Sequence, residues 1–188
     1  MKKTISALMV AVSAVAFAAS ANAADYTPYV GVDYINSHVF SKNLQNAAVN
    51  VGTKYNKHFG TEIFYQTPIE SKTWNTRDKD GVYKNKASYR SYGLDAYGYL
   101  PLGCDQVWSV LGTAGIAQVD AKYKKTGEKS HKENGWAYRI GAGVQYDVTE
   151  DWAVRVLARY SFLDKVSGVD HMGVDHMMDV TAGVRYSF

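Results

Sequence analysis

The stretch MDVTAGVRYSF, residues 178–188, alternates without a break. Met178, Val180, Ala182, Val184, Tyr186 and Phe188 fall on one side, and Asp179, Thr181, Gly183, Arg185 and Ser187 on the other. Side chains of a β-strand point to opposite faces with a period of two. The stretch therefore predicts a strand with one wholly apolar face and one small or polar face. WAVRVLARYSF (152–162) and WAYRIGAGVQYD (136–147) repeat the arrangement. In all three, the first face is entirely apolar or aromatic, and Leu157 is the one bulky aliphatic on the second.

Working toward the N-terminus, the alternation predicts further strands at 26–36, 47–56, 61–70, 89–100 and 108–122. Both faces of 108–122 contain apolar residues, so its facing stays open. No helical period interrupts the series. The connections at 37–46, 57–60, 71–88, 101–107, 123–135, 148–151 and 163–177 alternate long and short. Short turns at one end and long loops at the other are the habit of an up-and-down barrel in an outer membrane, with the turns periplasmic and the loops external.

Eight alternating strands fit two solvents. A soluble, lipocalin-like barrel keeps its apolar face inside; a membrane barrel turns that face to lipid and fills its lumen with polar groups. The polar face here carries Lys54, Glu62, Asp95, Arg139, Arg155, Arg159, Asp179 and Arg185 beside many glycines, a set suited to a narrow lumen of paired charges. Aromatics cluster at strand ends, as Trp136 and Tyr146, Trp152 and Phe162, and Tyr186 and Phe188, where aromatic girdles meet the two interfaces. Strands of about 9–11 residues span a bilayer when tilted, and a closed barrel hides every strand edge from hydrocarbon. The expected fold is all-β: an eight-stranded antiparallel up-and-down transmembrane β-barrel.

The N-terminus agrees with export. Lys2 and Lys3 precede an apolar run from Ile5 to Ala19, and Ala21-Asn22-Ala23 gives a small-x-small cleavage pattern. Residues 1–23 are expected to be a cleaved signal peptide and 24–188 the barrel domain. Loss of Lys2 and Lys3 takes the formal net charge from +3 to +1, which gives no reason to expect a nucleic-acid partner. Cys104 is the one cysteine, so the chain has no internal disulfide.

The segments FGTEIFYQ (59–66), SYGLDAYGYLPLG (91–103) and VTAGVRYSF (180–188) resemble the small eight-stranded outer-membrane barrels, the group of the OmpA transmembrane domain and OmpX. The resemblance covers essentially all of 24–188. It implies that Val184, Tyr186 and Phe188 form the signal read by the outer-membrane insertion machinery. It also implies a Gram-negative outer membrane, periplasmic N- and C-termini, a monomer, and lipid and lipopolysaccharide as surroundings. Full-length OmpA adds a periplasmic peptidoglycan-binding domain; residues 24–188 contain none, so cell-wall anchoring is not expected.

Inside the barrel, Glu62 or Asp95 is expected to pair with Arg139, Arg155 or Arg185. Eight strands leave room only for side chains, so these charges read as a structural plug before a conduction path; a small or gated pore is the alternative. The lysine-rich loops 71–88 and 123–135 suit lipopolysaccharide phosphates or an acidic host or surface ligand, against the plain reading of solvated loops. An outer-membrane lipid-modifying enzyme is the rival class. His38, His131, His171 and His176 are expected in external loops and His58 in a periplasmic turn, none forming a catalytic constellation, so no catalytic residue is assigned. The tandem GVDHMGVDHM (168–177) holds Asp170, His171, Asp175 and His176. A metal site needs three or four preorganised ligands, and duplicated loop residues provide no fixed geometry, so neither metal nor cofactor is expected. The expected role is a structural or surface-interaction, adhesion-like protein of the envelope.

Overall fold

In the computed structural model, residues 26–39, 42–70, 72–78, 81–125, 131–163 and 176–188 are described. Nine strands follow one another: β1 (Thr27–Val39), β2 (Lys42–Lys54), β3 (Phe59–Pro68), β4 (Lys72–Asp78), β5 (Gly81–Leu102), β6 (Trp108–Lys125), β7 (His131–Asp147), β8 (Trp152–Leu163) and β9 (His176–Ser187). Each pairs antiparallel with its neighbours in the order β3-β2-β1-β9-β8-β7-β6-β5-β4, and β3 also pairs with β5. β5 meets β3 along Ser91–Gly98 and β4 along Gly81–Ala87. β3 and β4 are thus two segments of one wall position, and nine strands fill the eight places of a closed ring.

Burial is inverted relative to a soluble protein. Asp33, Glu62, Asp95, Asp179, Arg139, Arg155, Arg159 and Arg185 are buried, whereas Val32 is 58% exposed, Leu100 60% and Tyr138 56%. An apolar surface this continuous requires an apolar solvent. Two rings of aromatics bound it. At the short-turn end Trp108 packs on Tyr146 at 4.7 Å, Trp152 on Tyr186 at 5.0 Å and Tyr55 on Phe59 at 5.7 Å. At the long-loop end stand Trp136, Tyr138 and the Tyr160–Phe162 pair. From Trp152 to Phe162 the strand rises about 33 Å; a tilt near 40° reduces this to about 25 Å, the height of an apolar band.

The structure fixes the facing of β6. Ser109, Leu111, Thr113, Ala117 and Val119 point inward, and Trp108, Val110 and Ile116 outward. Its inner face reads as apolar because the lumen contains two apolar clusters. One, of Tyr97, Tyr99, Leu111 and Leu157, lies toward the short turns. The other, with Leu44, Phe64, Tyr89, Val119 and Met177, lies toward the long loops.

Several expected loops are strand instead. β1 and β2 pair up to Val39↔Lys42, so the loop at 37–46 shrinks and His38 sits in β1. Most of 71–88 is the β4–β5 hairpin, and much of 123–135 is β6 and β7, placing His131 opposite Tyr123. Here backbone pairing continues beyond the stretches in which apolar and polar residues alternate in the sequence. The tandem repeat divides: Asp170, His171 and Asp175 lie outside the described residues, while His176 and Met177 open β9. His58 does occupy a turn, between β2 and β3, and exposed Cys104 another, between β5 and β6.

Candidate functional site

The lumen concentrates the chemistry of the chain. Glu62 on β3 and Asp95 on β5 are direct cross-strand partners, two carboxylates side by side on the inner wall. Like charges so placed repel, and arginines from the far wall offset them. The Nη2 of Arg155 donates to both oxygens of Glu62 at 3.0 Å. Arg139 donates to Asp95 at 3.0 Å, with Arg159 3.8 Å away. Both pairings fall within the set expected from the sequence.

A third carboxylate, absent from that set, joins them. Asp33 on β1 accepts a two-pronged bond from Arg185 on β9, at 2.8 and 2.9 Å, and a further bond from Asn50 at 2.9 Å. Arg185 Nε also lies 3.4 Å from Glu62, and Arg155 lies 3.7 Å from Asp33, so the charges form one network. Two-pronged guanidinium–carboxylate bonds are among the stronger and more directional contacts available. The sequence signal is the period-two spacing of Gly31 and Asp33, masked by Tyr29 and Ile35 on the same face.

Tyrosines complete the network. Tyr29 and Tyr97 donate to Glu62 at 3.1 and 3.2 Å, and the Tyr97 hydroxyl accepts from Arg159 at 2.9 Å. Arg155 stacks over the Tyr97 ring at 4.6 Å and Arg139 over Phe64 at 4.0 Å. Toward the long loops, the Tyr89 hydroxyl meets Ser37 and accepts from Gln66 at 2.6 Å. Several buried polar atoms, Asp179 Oδ1 and Arg139 Nε among them, have no partner in hydrogen-bond geometry among the described residues.

Inward glycines make room for these groups. A Cβ on Gly183 would stand 1.7 Å from Asp33 Oδ1 and 2.7 Å from the Val32 carbonyl oxygen. Gly183→Ala is therefore expected to cost about 1–3 kcal/mol, as overpacking does. Gly112→Ala, at a position where an added Cβ meets nothing within 4 Å, should change stability by less than about 0.5 kcal/mol. Urea midpoints of the barrel refolded in lipid vesicles check both.

His38, His58 and His176 have their contacts outside the set of lumen charges. His38 Nδ1 lies 2.9 Å from Asn43 Oδ1, His58 Nδ1 lies 3.2 Å from the Tyr99 carbonyl oxygen, and His176 stacks on Tyr160 at 5.6 Å. Among the described residues no group of three or more His, Cys, Asp or Glu is placed to hold a metal ion.

The geometry has counterparts. Outer membrane protein A of Serratia marcescens is 26% identical over 213 aligned positions, which cover all of this chain and 56% of that protein. The chain thus spans just over half the length of that relative. The structure is similar to that of Neisserial surface protein A, with a TM-score of 0.62, 14% identity, and coverage of 89% of this chain and 99% of that one. It is also similar to Ail, the attachment invasion locus protein of Yersinia pestis, solved in complex with the heparin analogue sucrose octasulfate. There the TM-score is 0.55, with 15% identity over 87% of this chain and 97% of that one. Residues 5–188 match the model of the outer membrane protein beta-barrel domain. With its lumen of charges inside an apolar wall, this chain belongs to that family of outer-membrane β-barrels.

Proposed function

We propose that the barrel is a structural scaffold that presents an interaction surface on the outside of the cell, and that it has no catalytic task. One observation carries this reading: the wall is lopsided. β5 runs 22 residues, β6 18 and β7 17, whereas β8 and β9 run 12 each. The ten extra residues of β5 amount to about 33 Å of strand. With β4 they form a sheet standing beyond the aromatic ring at the long-loop end. The sequence of these strands includes Lys72, Lys84, Lys86, Lys122, Lys124 and Lys132, a composition suited to anionic partners. Ail, a barrel of similar fold, is known in complex with a polysulfated heparin analogue, a precedent for acidic glycans as host or surface ligands.

The same reading places the long-loop end outside and residues 26 and 188 at the periplasmic face, with residues 1–23 removed on export and the barrel monomeric. The outward row of Val184, half-exposed Tyr186 and Phe188 supports recognition of this strand by the insertion machinery. A lumen filled by paired side chains favours a scaffold over a pore. The test is a barrel in which residues 73–86 are replaced by a short Gly-Ser turn. Cells carrying it should bind a heparin-coated surface several-fold less than cells carrying the intact chain at equal abundance. Undiminished binding would sink the proposal.

A further inference from the structure

The tandem repeat, which reads as loop in the sequence, places its second histidine on a strand. His176 opens β9, and Met178 follows on the same outward face. Directly across from Met178, on β1, stands His38, and across from His38, on β2, stands Asn43. These side chains are exposed, Met178 by 50%. Side chains opposite one another on neighbouring strands lie about 4.5–5.5 Å apart at Cβ, and diagonal neighbours about 7–8 Å. His38 flanks the thioether across the strands and His176 flanks it along β9, so one ion lies within reach of all three.

Each histidine has a further contact. Nδ1 of His38 lies 2.9 Å from Oδ1 of Asn43. An amide oxygen only accepts, so Nδ1 carries the proton and Nε2 keeps its lone pair. A hydrogen bond of this kind fixes the tautomer and the ring of a metal-ligating histidine. His176 lies nearly parallel to the Tyr160 ring, at 5.6 Å and 9°. Rotation about χ1 to another staggered well carries this exposed ring from Tyr160 toward Met178. The neighbouring outward positions are uncharged. Tyr160 is opposite Met178 with Ile140 beyond it, and Phe162 is opposite His176 with Tyr138 beyond it. Aromatic girdles sit at headgroup level, where water and solutes reach.

We propose that His38, His176 and Met178 bind copper(I) on the outer face of the barrel, and that Asn43 positions His38. Among the described residues, histidines, cysteines and carboxylates alone give no group of three; the thioether is the third ligand. Its softness decides the metal. Thioether sulfur selects copper(I), whereas imidazole also accepts zinc, nickel and iron. Three neutral ligands leave the charge of the ion uncompensated at the edge of the hydrocarbon, and a monovalent ion costs less there than a divalent one. The site shares no residue with the lumen network or with the lysine-rich strands, so it is independent of the heparin reading.

The test uses the protein extracted from outer membranes into a non-ionic detergent and kept under nitrogen. Copper(I) is shared between the protein and the coloured chelator bicinchoninate, and the colour lost measures binding. The intact protein should take up a single equivalent. His38→Ala and His176→Ala should each weaken binding by more than about ten-fold, since losing even a hydrogen-bond partner of a ligand costs that much. Met178→Leu keeps the bulk of the side chain without its sulfur, and should remove the sulfur neighbour from the copper X-ray absorption spectrum. Asn43→Ala should weaken binding about ten-fold. Asn43→Asp offers the same Nδ1–H a carboxylate and should bind at least as tightly as the intact protein, a result that misfolding could not produce. His58→Ala, His171→Ala and Met177→Leu, at a side chain buried inside the barrel, should match the intact protein. A loss with His171→Ala as great as with His176→Ala would place the ligands in the repeat and overturn the proposal. So would a spectrum of the intact protein without sulfur, or uptake that His38→Ala leaves unchanged.

Discussion

Arg155→Ala is expected to lower the unfolding free energy by about 3–5 kcal/mol, the cost of stranding a buried charge whose partner has gone. Arg155 is 1% exposed and gives both of the short contacts that Glu62 receives from an arginine. Its removal leaves Glu62 beside Asp95, its cross-strand neighbour, with the 3.4 Å approach of Arg185 and the hydroxyls of Tyr29 and Tyr97 as compensation. The guanidinium plane also covers the Tyr97 ring, so the variant loses packing as well as charge. The double variant Arg155→Met/Glu62→Leu should recover most of the loss, since removing both partners leaves no orphaned charge and keeps the lumen neutral. Tryptophan fluorescence during urea unfolding in lipid vesicles measures both. A single-variant cost below about 1 kcal/mol would mean that solvent in the lumen, not Arg155, balances Glu62.

Next to this residue the same wall meets the opposite environment. Val156 is half exposed on the outer face, midway between Trp152 and Phe162, and pairs with Val144 and Ala182. Val156→Arg should cost about 2–4 kcal/mol, the penalty of a cation at the midplane of a bilayer. Met178→Arg, on the same face nearer the long-loop end, should cost only about 0–1 kcal/mol, because its head can reach the interface. Equal costs at the two positions would show that the apolar band is centred elsewhere. Arginine is thus required at 155 and excluded at 156, one residue apart.

That contrast explains what is legible in the sequence. β7, β8 and β9 separate their solvents cleanly, so the alternation alone assigns Arg139, Arg155, Arg159 and Arg185 to the lumen. β1 and β6 are harder to read, because Tyr29, Ile35, Leu111 and Val119 are apolar residues pointing inward. Asp33 is hidden for the same reason. Which carboxylate meets which arginine depends on side chains reaching across the ring, and period-two reasoning orders only neighbours along a strand. The protruding hairpin is illegible for a different cause. In segments such as KTWNTRD and GVYKNK apolar and polar residues do not alternate, so period two does not announce the strands they form.

The Asp33–Arg185 contact joins strands at opposite ends of the barrel's order of construction. Most neighbouring strands meet through turns or loops, but β1 and β9 are brought together across 152 residues. Such a pairing carries the largest loop-closure cost and the slowest search. Until it forms, the wall is an open ribbon whose charged face has no enclosure, and hydrocarbon would have to solvate the arginines and carboxylates that the closed ring buries. Half-built barrels are therefore penalised on the face that stabilises the finished one. The lumen network acts as a proofreading term: it makes insertion all-or-none and gives an unclosed sheet no resting place in the membrane.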